Sequence, residues 1–143
     1  LCDEIIFVHN TFRSDDDIRY AIANTKKCWW CLCPNANLYI ENTLPEIERI
    51  TKATENILIG TDSLASNNQL SILSELKIIT KKFPQISLHQ LLTWSTINGA
   101  KALKMDSELG TLEKGKKPGL VLIENVDLQN QKITESSQSK RVA

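Results

Sequence analysis

The sequence has no net charge and little aromatic character, and both features narrow the classes of protein it can belong to. Its 17 basic residues balance its 17 acidic residues over 143 positions, and only 6% of the residues are aromatic. A balanced chain has no overall field that would attract nucleic acid or an anionic membrane. No apolar run approaches the roughly 20 residues of a membrane-spanning helix. The composition therefore predicts a chain that binds neither nucleic acid nor a membrane, with enough residues for one domain with its own core.

Two further absences concern targeting and nucleotide binding. The first residues, 1–4, contain no initiator Met and no basic segment ahead of an apolar stretch. No signal peptide is therefore predicted, and the start of the chain is expected to be a cut within a longer protein. No glycine-rich loop follows any apolar run, which argues against the alternative of a flavodoxin-like nucleotide-binding domain.

Cysteine is present but sparse, and its spacing allows two interpretations. The four cysteines are Cys2, Cys28, Cys31 and Cys33. A Cys-x-x-Cys pair can chelate a metal ion, but no second pair exists to complete the four ligands of a structural zinc site. The stretch CWWCLC is instead typical of a buried strand. We expect reduced thiols, as is usual in a cytoplasmic protein.

Apolar runs and amphipathic segments alternate along the first part of the chain. The predicted strands are 4–8, 28–33 and 56–60, and the predicted helices begin at Ser14 and near residues 44 and 69. This alternation predicts an α/β protein with a parallel sheet and right-handed crossovers. A fourth helix is predicted from Ser87, with Gln90 completing a capping box. Beyond it, residues 109–123 predict a strand, a turn and a strand, followed by a polar tail.

Each predicted strand ends in polar side chains, which are, in chain order, His9, Asn10, Asn35, Asn37 and Asp62. The carboxyl ends of parallel strands lie on one side of a sheet, where barrels and open α/β sheets build their sites. An aspartate held there can bind a metal ion or a proton. Two simpler interpretations stay open: Asp62 caps the helix that follows it, and Asn35 and Asn37 serve only the chemistry of a turn.

Four segments resemble the amidohydrolase superfamily, specifically its cytosine deaminase/chlorohydrolase-like branch with adenosylhomocysteine and aminofutalosine deaminase relatives. They are VHNTF at 8–12, CPNANLYIENTLP at 33–45, IGTDSLASN at 59–67 and LLTWSTINGAKALKMDSELGTLEKGKKPGLVLI at 91–123. The resemblance implies the C-terminal three βα units of a (β/α)8 TIM-type metal-dependent hydrolase barrel. By that match, residues 1–106 hold these units and an extra C-terminal helix. Residues 107–143 would hold strands of a small composite β-sandwich and a polar tail.

The resemblance also implies roles for individual residues. Asp62 corresponds to the metal ligand after the eighth strand, where it also acts as a catalytic base. His9 corresponds to the catalytic histidine after the sixth strand, which hydrogen-bonds the attacking water or the substrate. Asn35 and Asn37 follow the seventh strand and are predicted to bind the substrate. Polar residues within 63–67 could orient Asp62.

Several parts of the family pattern are missing from this sequence. The HxH pair of the first strand, the fifth-strand histidine and the glutamate after it are absent, and His89 is expected at the surface of a helix. One divalent ion, zinc or iron, is therefore expected in the complete enzyme, with weak or no binding by this chain. The implied function is hydrolysis of C–N bonds other than peptide bonds, as in deamination of an amino-substituted heterocycle or nucleoside. A cytoplasmic homo-oligomer is expected, and this chain alone is expected to be inactive.

A rival hypothesis is a non-catalytic α/β module that binds a partner or associates with itself. Three βα units leave both edges of the predicted sheet unpaired. An unpaired apolar edge is a template for pairing with another chain.

Overall fold

The computed structural model describes residues 3–143, and the chain forms two compact units that divide between Leu70 and Ser71. The elements of the first unit are β1 (Glu4–Val8), α1 (Asp15–Asn24), β2 (Lys27–Leu32), α2 (Pro34–Glu41), α3 (Ile47–Ala53) and β3 (Ile57–Ile59). Those of the second unit are α4 (Ile72–Lys82), α5 (Leu88–Ser95), α6 (Ile97–Ala102), β4 (Val121–Glu124) and β5 (Gln138–Arg141).

The first unit is built on a parallel sheet with the strand order β1-β2-β3. Val8 pairs with Cys31 at the end of β1, and Leu32 pairs with Ile59 at the end of β3. The three carboxyl ends therefore lie along one edge of the sheet, which we call the carboxyl edge. The α/β alternation and the parallel pairing predicted from the sequence are confirmed.

The central and outer strands of this sheet differ in burial. Trp29 and Trp30 of β2 are each 1% exposed, as expected for a buried strand. The apolar run of β1 also predicts a buried strand, and this prediction is wrong. Ile6 and Val8 of β1 are 38% and 48% exposed. β1 has a strand on one side only within the described residues, and Ile6 and Val8 project to the same face of the sheet. Phe7, on its other face, stacks on Trp30 with ring centroids 4.9 Å apart.

Local capping chemistry sets the start of α1. The Ser14 hydroxyl accepts a hydrogen bond from the Asp17 amide, and the Asp17 carboxylate accepts one from the Ser14 amide. This capping box satisfies two amides that the helix itself leaves without partners. The helical spacing of the sequence predicts an apolar face of Ile18, Ala21 and Ile22. Ile18 and Ala21 are buried, whereas Ile22 is 41% exposed.

The helix α2 is missing from the sequence prediction, which treats the residues after β2 as a turn. Pro34 instead opens a helix that ends at Asn42, a residue in the left-handed conformation with φ 51°. Proline suits a first helical turn because its missing N–H would have no partner there. The next helix, α3, begins later than predicted. Its spacing predicts that Ile47 and Ile50 face inward, and both are buried.

In the second unit, two helix starts are set by serine hydroxyls. Ser71 caps α4, so this helix begins after residue 69, where the sequence analysis places it. The capping box of Ser87 and Gln90 at α5 is confirmed. The helical spacing of residues 88–102 predicts one helix from Ser87 with an apolar and small-residue stripe. The segment forms two helices instead, because the chain bends at Thr96 (φ −129°, ψ −90°).

The carboxyl-terminal part of the chain contains one antiparallel hairpin, in which Val121 of β4 pairs with Arg141 of β5. The prediction of a strand, a turn and a strand over 109–123 is right only for its last strand. The partner strand comes from the tail, and all four of its residues are exposed. The predicted division after residue 106 into a barrel part and a sandwich part stays a prediction.

The described cysteines, Cys28, Cys31 and Cys33, are buried. The Cys31 and Cys33 sulfurs are 4.0 Å apart. Cys2 lies outside the described residues. Within residues 3–143, no helix combines the length and the apolar character needed to cross a bilayer.

Candidate functional site

The carboxyl edge of the sheet brings an imidazole and a carboxylate together. His9 directly follows β1, and Asp62 lies in the loop after β3. His9 Nε2 and Asp62 Oδ2 are 3.7 Å apart, and the two side chains are 35% and 32% exposed. They meet across the end of β2, which separates their strands. The two residues expected at one edge of the sheet are therefore neighbours that solvent, or a small molecule, can reach.

The histidine is held by an unusual bend of the backbone. His9 and Asn10 are both in the left-handed conformation, with φ 67° and 64°. Residues with a side chain rarely adopt this conformation. The His9 amide donates to the Cys31 carbonyl at 3.0 Å, one residue beyond the last strand pair. The bend therefore lies at the end of β1, where the chain is still hydrogen-bonded to β2.

Asp62 is also left-handed, with φ 56°, and its carboxylate is fixed by hydrogen bonds from its own loop. The buried hydroxyl of Ser66 donates to Asp62 Oδ2 at 2.6 Å. Asn67 Nδ2 donates to the Thr61 carbonyl at 2.8 Å and closes the loop. The hydrogen bond from Ser66, aided by the nearby His9, holds the pKa of Asp62 below its ordinary value. Asp62 does not cap α4, since Ser71 does, so that simpler interpretation is wrong.

The two predicted substrate residues lie in the first turn of α2, so the interpretation as a plain turn is wrong for both. Asn35 is half-buried and Asn37 is buried. Asn37 Nδ2 donates to Thr11 Oγ1 at 2.6 Å, and it lies 3.4 Å from Glu41 Oε2. The Asn37 amide therefore ties α2 to the loop after β1. Its Oδ1 accepts no hydrogen bond from the described residues.

A cleft of about 290 Å³ opens beside the histidine. It is lined by Val8, His9, Asn10, Thr11, Phe12, Arg13 and Glu41. Phe12 is 78% exposed there. No role was predicted for Thr11, Phe12 or Glu41, although Thr11 and Phe12 belong to the segment 8–12 that contains His9.

The described donors do not form a complete metal site. Within residues 3–143, no three side chains of His, Cys, Asp or Glu come close enough to share an ion. The pair of His9 and Asp62 offers two donors, where a zinc site takes three or four from protein.

Comparison with known proteins assigns the chain to a class. The model of the amidohydrolase family matches residues 2–143. The chain belongs to the amidohydrolase family, as the resemblance of its four segments predicts.

Individual relatives show which members of this family the chain is similar to. A 5-methylthioadenosine/S-adenosylhomocysteine deaminase from Moorella thermoacetica is 36% identical over 111 residues, covering 73% of this chain and 26% of that protein. The crystal structure of an adenosine deaminase from Xanthomonas campestris with bound zinc is similar with a TM-score of 0.71. It is 28% identical and covers 88% of this chain and 30% of that one. The aminofutalosine deaminase of Helicobacter pylori has a TM-score of 0.69 at 28% identity, covering 80% and 29%. The chain thus spans under a third of each of these proteins.

Proposed function

We propose that the complete protein carrying this chain catalyses hydrolytic deamination of an amino-substituted heterocycle, most simply the purine of an adenosine-type nucleoside. The observation that carries the proposal is the 3.7 Å approach of His9 and Asp62 at the carboxyl edge of a parallel sheet. The names of the relatives support the choice of reaction, because they are deaminases of adenosine-like compounds.

The proposed architecture is the last three βα units of a (β/α)8 TIM-type barrel over residues 1–106. Residues 107–143 are proposed to give strands of a small composite β-sandwich. The uncovered side chains of Ile6 and Val8 on β1 support this arrangement, because further strands of the barrel would cover them. The limited coverage of the relatives' length supports it as well.

The chain's own residues suit the two proton transfers of the reaction. Asp62, which like any aspartate with an ordinary or lowered pKa is ionised at neutral pH, accepts a proton from the attacking water. His9 lies close enough to hydrogen-bond the same water and orient it. Oxygen adds to the ring carbon that bears the amino group. The proton held by Asp62 then passes to the amine, which leaves as ammonia while the ring carbon keeps the oxygen.

Asp62 is also proposed to be one ligand of a divalent ion, zinc or iron, in the complete protein. The zinc bound in the Xanthomonas campestris structure supports this. The donors of the described residues are too few to hold such an ion by themselves. This chain alone is therefore proposed to be inactive.

Asn35 and Asn37 are proposed to face the substrate. The first turn of α2 follows β2, the strand between those of His9 and Asp62, so it lies beside the reactive pair. The expected effect of Asn37→Ala is a rise in KM of about 10-fold, because a lost hydrogen bond of 1 to 1.5 kcal/mol is worth about that factor. A KM that stays unchanged would remove Asn37 from the substrate site.

The proposed reaction is tested by measuring ammonia release from adenosine, 5′-methylthioadenosine and S-adenosylhomocysteine, with and without a chelator. Asp62→Asn should abolish release. Asp127→Asn, at an exposed turn of the second unit, changes another aspartate with a lowered pKa and should leave it intact. Absence of ammonia from every amino heterocycle tested with the metal-loaded protein would refute the proposal.

A second candidate, association of chains through β1, rests on the exposure of Ile6 and Val8 at the edge of the sheet. We propose a homo-oligomer in the cytoplasm. Sedimentation of the complete protein tests its assembly. If the barrel strands cover β1, Val8→Lys should destabilise the folded protein rather than dissociate an oligomer.

A further inference from the structure

Asn10 has no part in the chemistry proposed above, yet it is among the buried polar side chains, with 4% of its surface exposed. It follows His9 and shares its left-handed conformation. Its amide oxygen has no hydrogen-bond partner among the described residues. A buried acceptor without a partner lowers stability. The oxygen of Asn10 therefore does not explain why an asparagine stands at this position.

The amide nitrogen of Asn10 gives that reason. It donates to the Phe7 carbonyl at 3.0 Å and to the Cys31 carbonyl at 3.2 Å. The Cys31 carbonyl also accepts the hydrogen bond from the His9 amide, at 3.0 Å. The opposite orientation of the amide would set its oxygen against both carbonyl oxygens. The side chain of Asn10 therefore ties the residue after His9 to both β1 and β2. The bend at His9 lies between Phe7 and Asn10, which this side chain joins.

The residue type fits both demands of the position. Asparagine tolerates the left-handed region better than most residues with a side chain. Glycine would permit the bend but could not hold it, because glycine has no amide to donate. Aspartate would have nearly the same shape, but its carboxylate oxygens would face the carbonyls of Phe7 and Cys31 without a proton to share.

We infer that Asn10 is a positioning residue, which fixes the left-handed bend and so holds the His9 imidazole beside the Asp62 carboxylate. The kinetic consequence of this inference rests on the proposed deamination, while its structural consequence does not. A misplaced His9 would weaken the orientation of the attacking water but leave the binding of the substrate largely unchanged. The loss is therefore expected in kcat more than in KM.

The experiment compares Asn10→Gly and Asn10→Asp in the complete protein, each with His9 present and in a His9→Ala background. With His9 present, both variants should lower kcat about 10- to 100-fold, with KM changed by less than about threefold. In the His9→Ala background neither should lower kcat further by more than about twofold, because Asn10 acts through His9. If one variant does not fold, the other supplies the same comparison.

Asn125→Gly is the matched control. Asn125 is also left-handed, with φ 56°, and its side-chain nitrogen donates to a backbone carbonyl, that of Ser136, at 3.3 Å in the second unit. This variant should keep the wild-type kcat and KM. A loss at Asn125 as large as the loss at Asn10 would mean that the kinetic effect is a general result of destabilisation, which would overturn the inference.

Two other results would also overturn the inference: a wild-type kcat in both Asn10 variants, or an equal loss with and without His9. If the wild-type protein deaminates nothing, the proposed function fails and the structural consequence decides. A crystal structure of Asn10→Gly should then show His9 Nε2 out of contact with Asp62 Oδ2. An unchanged pair of side chains in that structure would refute the positioning role.

Discussion

Two regions of the chain use left-handed residues with side chains in different ways. At the carboxyl edge of the parallel sheet they are His9, Asn10 and Asp62, and around the antiparallel hairpin they include Asn125 and Gln131. In the hairpin these residues reverse the chain between paired strands. At the sheet edge, two of the three are residue types that can transfer protons, and their side chains are about one-third exposed.

The sheet edge and the hairpin therefore differ in what their left-handed residues do. A residue with a side chain in this conformation costs about 1 to 3 kcal/mol, and clusters of such residues are typical of functional sites. Asn, Asp and His tolerate this conformation better than most residues with a side chain, and all three left-handed residues of the sheet edge are of these types. What sets the sheet edge apart is the approach of two reactive groups, His9 and Asp62. Substitutions at the sheet edge should therefore reduce activity more than stability, and substitutions in the second unit should do the opposite.

The largest effect is expected from Asp62→Ala in the complete protein. Loss of the carboxylate removes the proposed base and the proposed metal ligand together, so kcat should fall by more than about 10³-fold. Metal content, measured by mass spectrometry on the purified protein, should fall with it. A variant that stays fully loaded with metal would contradict the role of Asp62 as a ligand.

His9→Ala should have the next largest effect. The proposed role of His9 is to orient the attacking water, so the rate should fall about 10²- to 10⁴-fold while the metal is retained. His89→Ala is a suitable control, because His89 is exposed on α5 in the second unit. Equal rates in the two histidine variants would contradict the proposed catalytic role of His9.

A smaller effect is expected from Ser66→Ala, which removes the 2.6 Å hydrogen bond to Asp62. Activity should fall about 10-fold, as is usual when a group that orients a metal ligand is lost. This hydrogen bond is the main cause of the lowered pKa of Asp62, so its removal should raise that pKa. The acidic limb of the profile of kcat against pH should therefore move to higher pH. Ser136→Ala, at an exposed position near the hairpin, should move neither the rate nor the profile.

The smallest effect on activity is expected from Ser87→Ala, which removes the cap of α5 in the second unit. Loss of such a cap should lower the free energy of unfolding by about 1 kcal/mol, measured by urea denaturation. Because Ser87 has no part in the proposed proton transfers, kcat should stay at the wild-type value. A drop in kcat without a drop in stability would show that the second unit takes part in catalysis.

Features set by local chemistry could be predicted from the sequence. The capping boxes at Ser14 and Ser87 depend on residues three positions apart, and both are present. The meeting of His9 and Asp62 could be predicted as well. Each follows an apolar run, and parallel pairing brings the ends of such runs to one edge whatever the details of the loops.

Features that depend on distant partners could not be predicted in the same way. The exposure of Val8 depends on which strands lie beside β1, and apolar residues alone do not specify that. The strand β5 has the sequence QSKR, which has no apolar alternation, and it is a strand only because β4 pairs with it. The role inferred for Asn10 depends on the Cys31 carbonyl of another strand, which no local pattern specifies.

The most direct test of the account is a crystal structure of the complete protein with a nucleoside analogue that mimics the tetrahedral adduct of deamination. The oxygen that stands for the attacking water is expected within hydrogen-bond distance of both His9 Nε2 and the Asp62 carboxylate. An analogue bound away from the carboxyl edge, or one that contacts neither side chain, would contradict it.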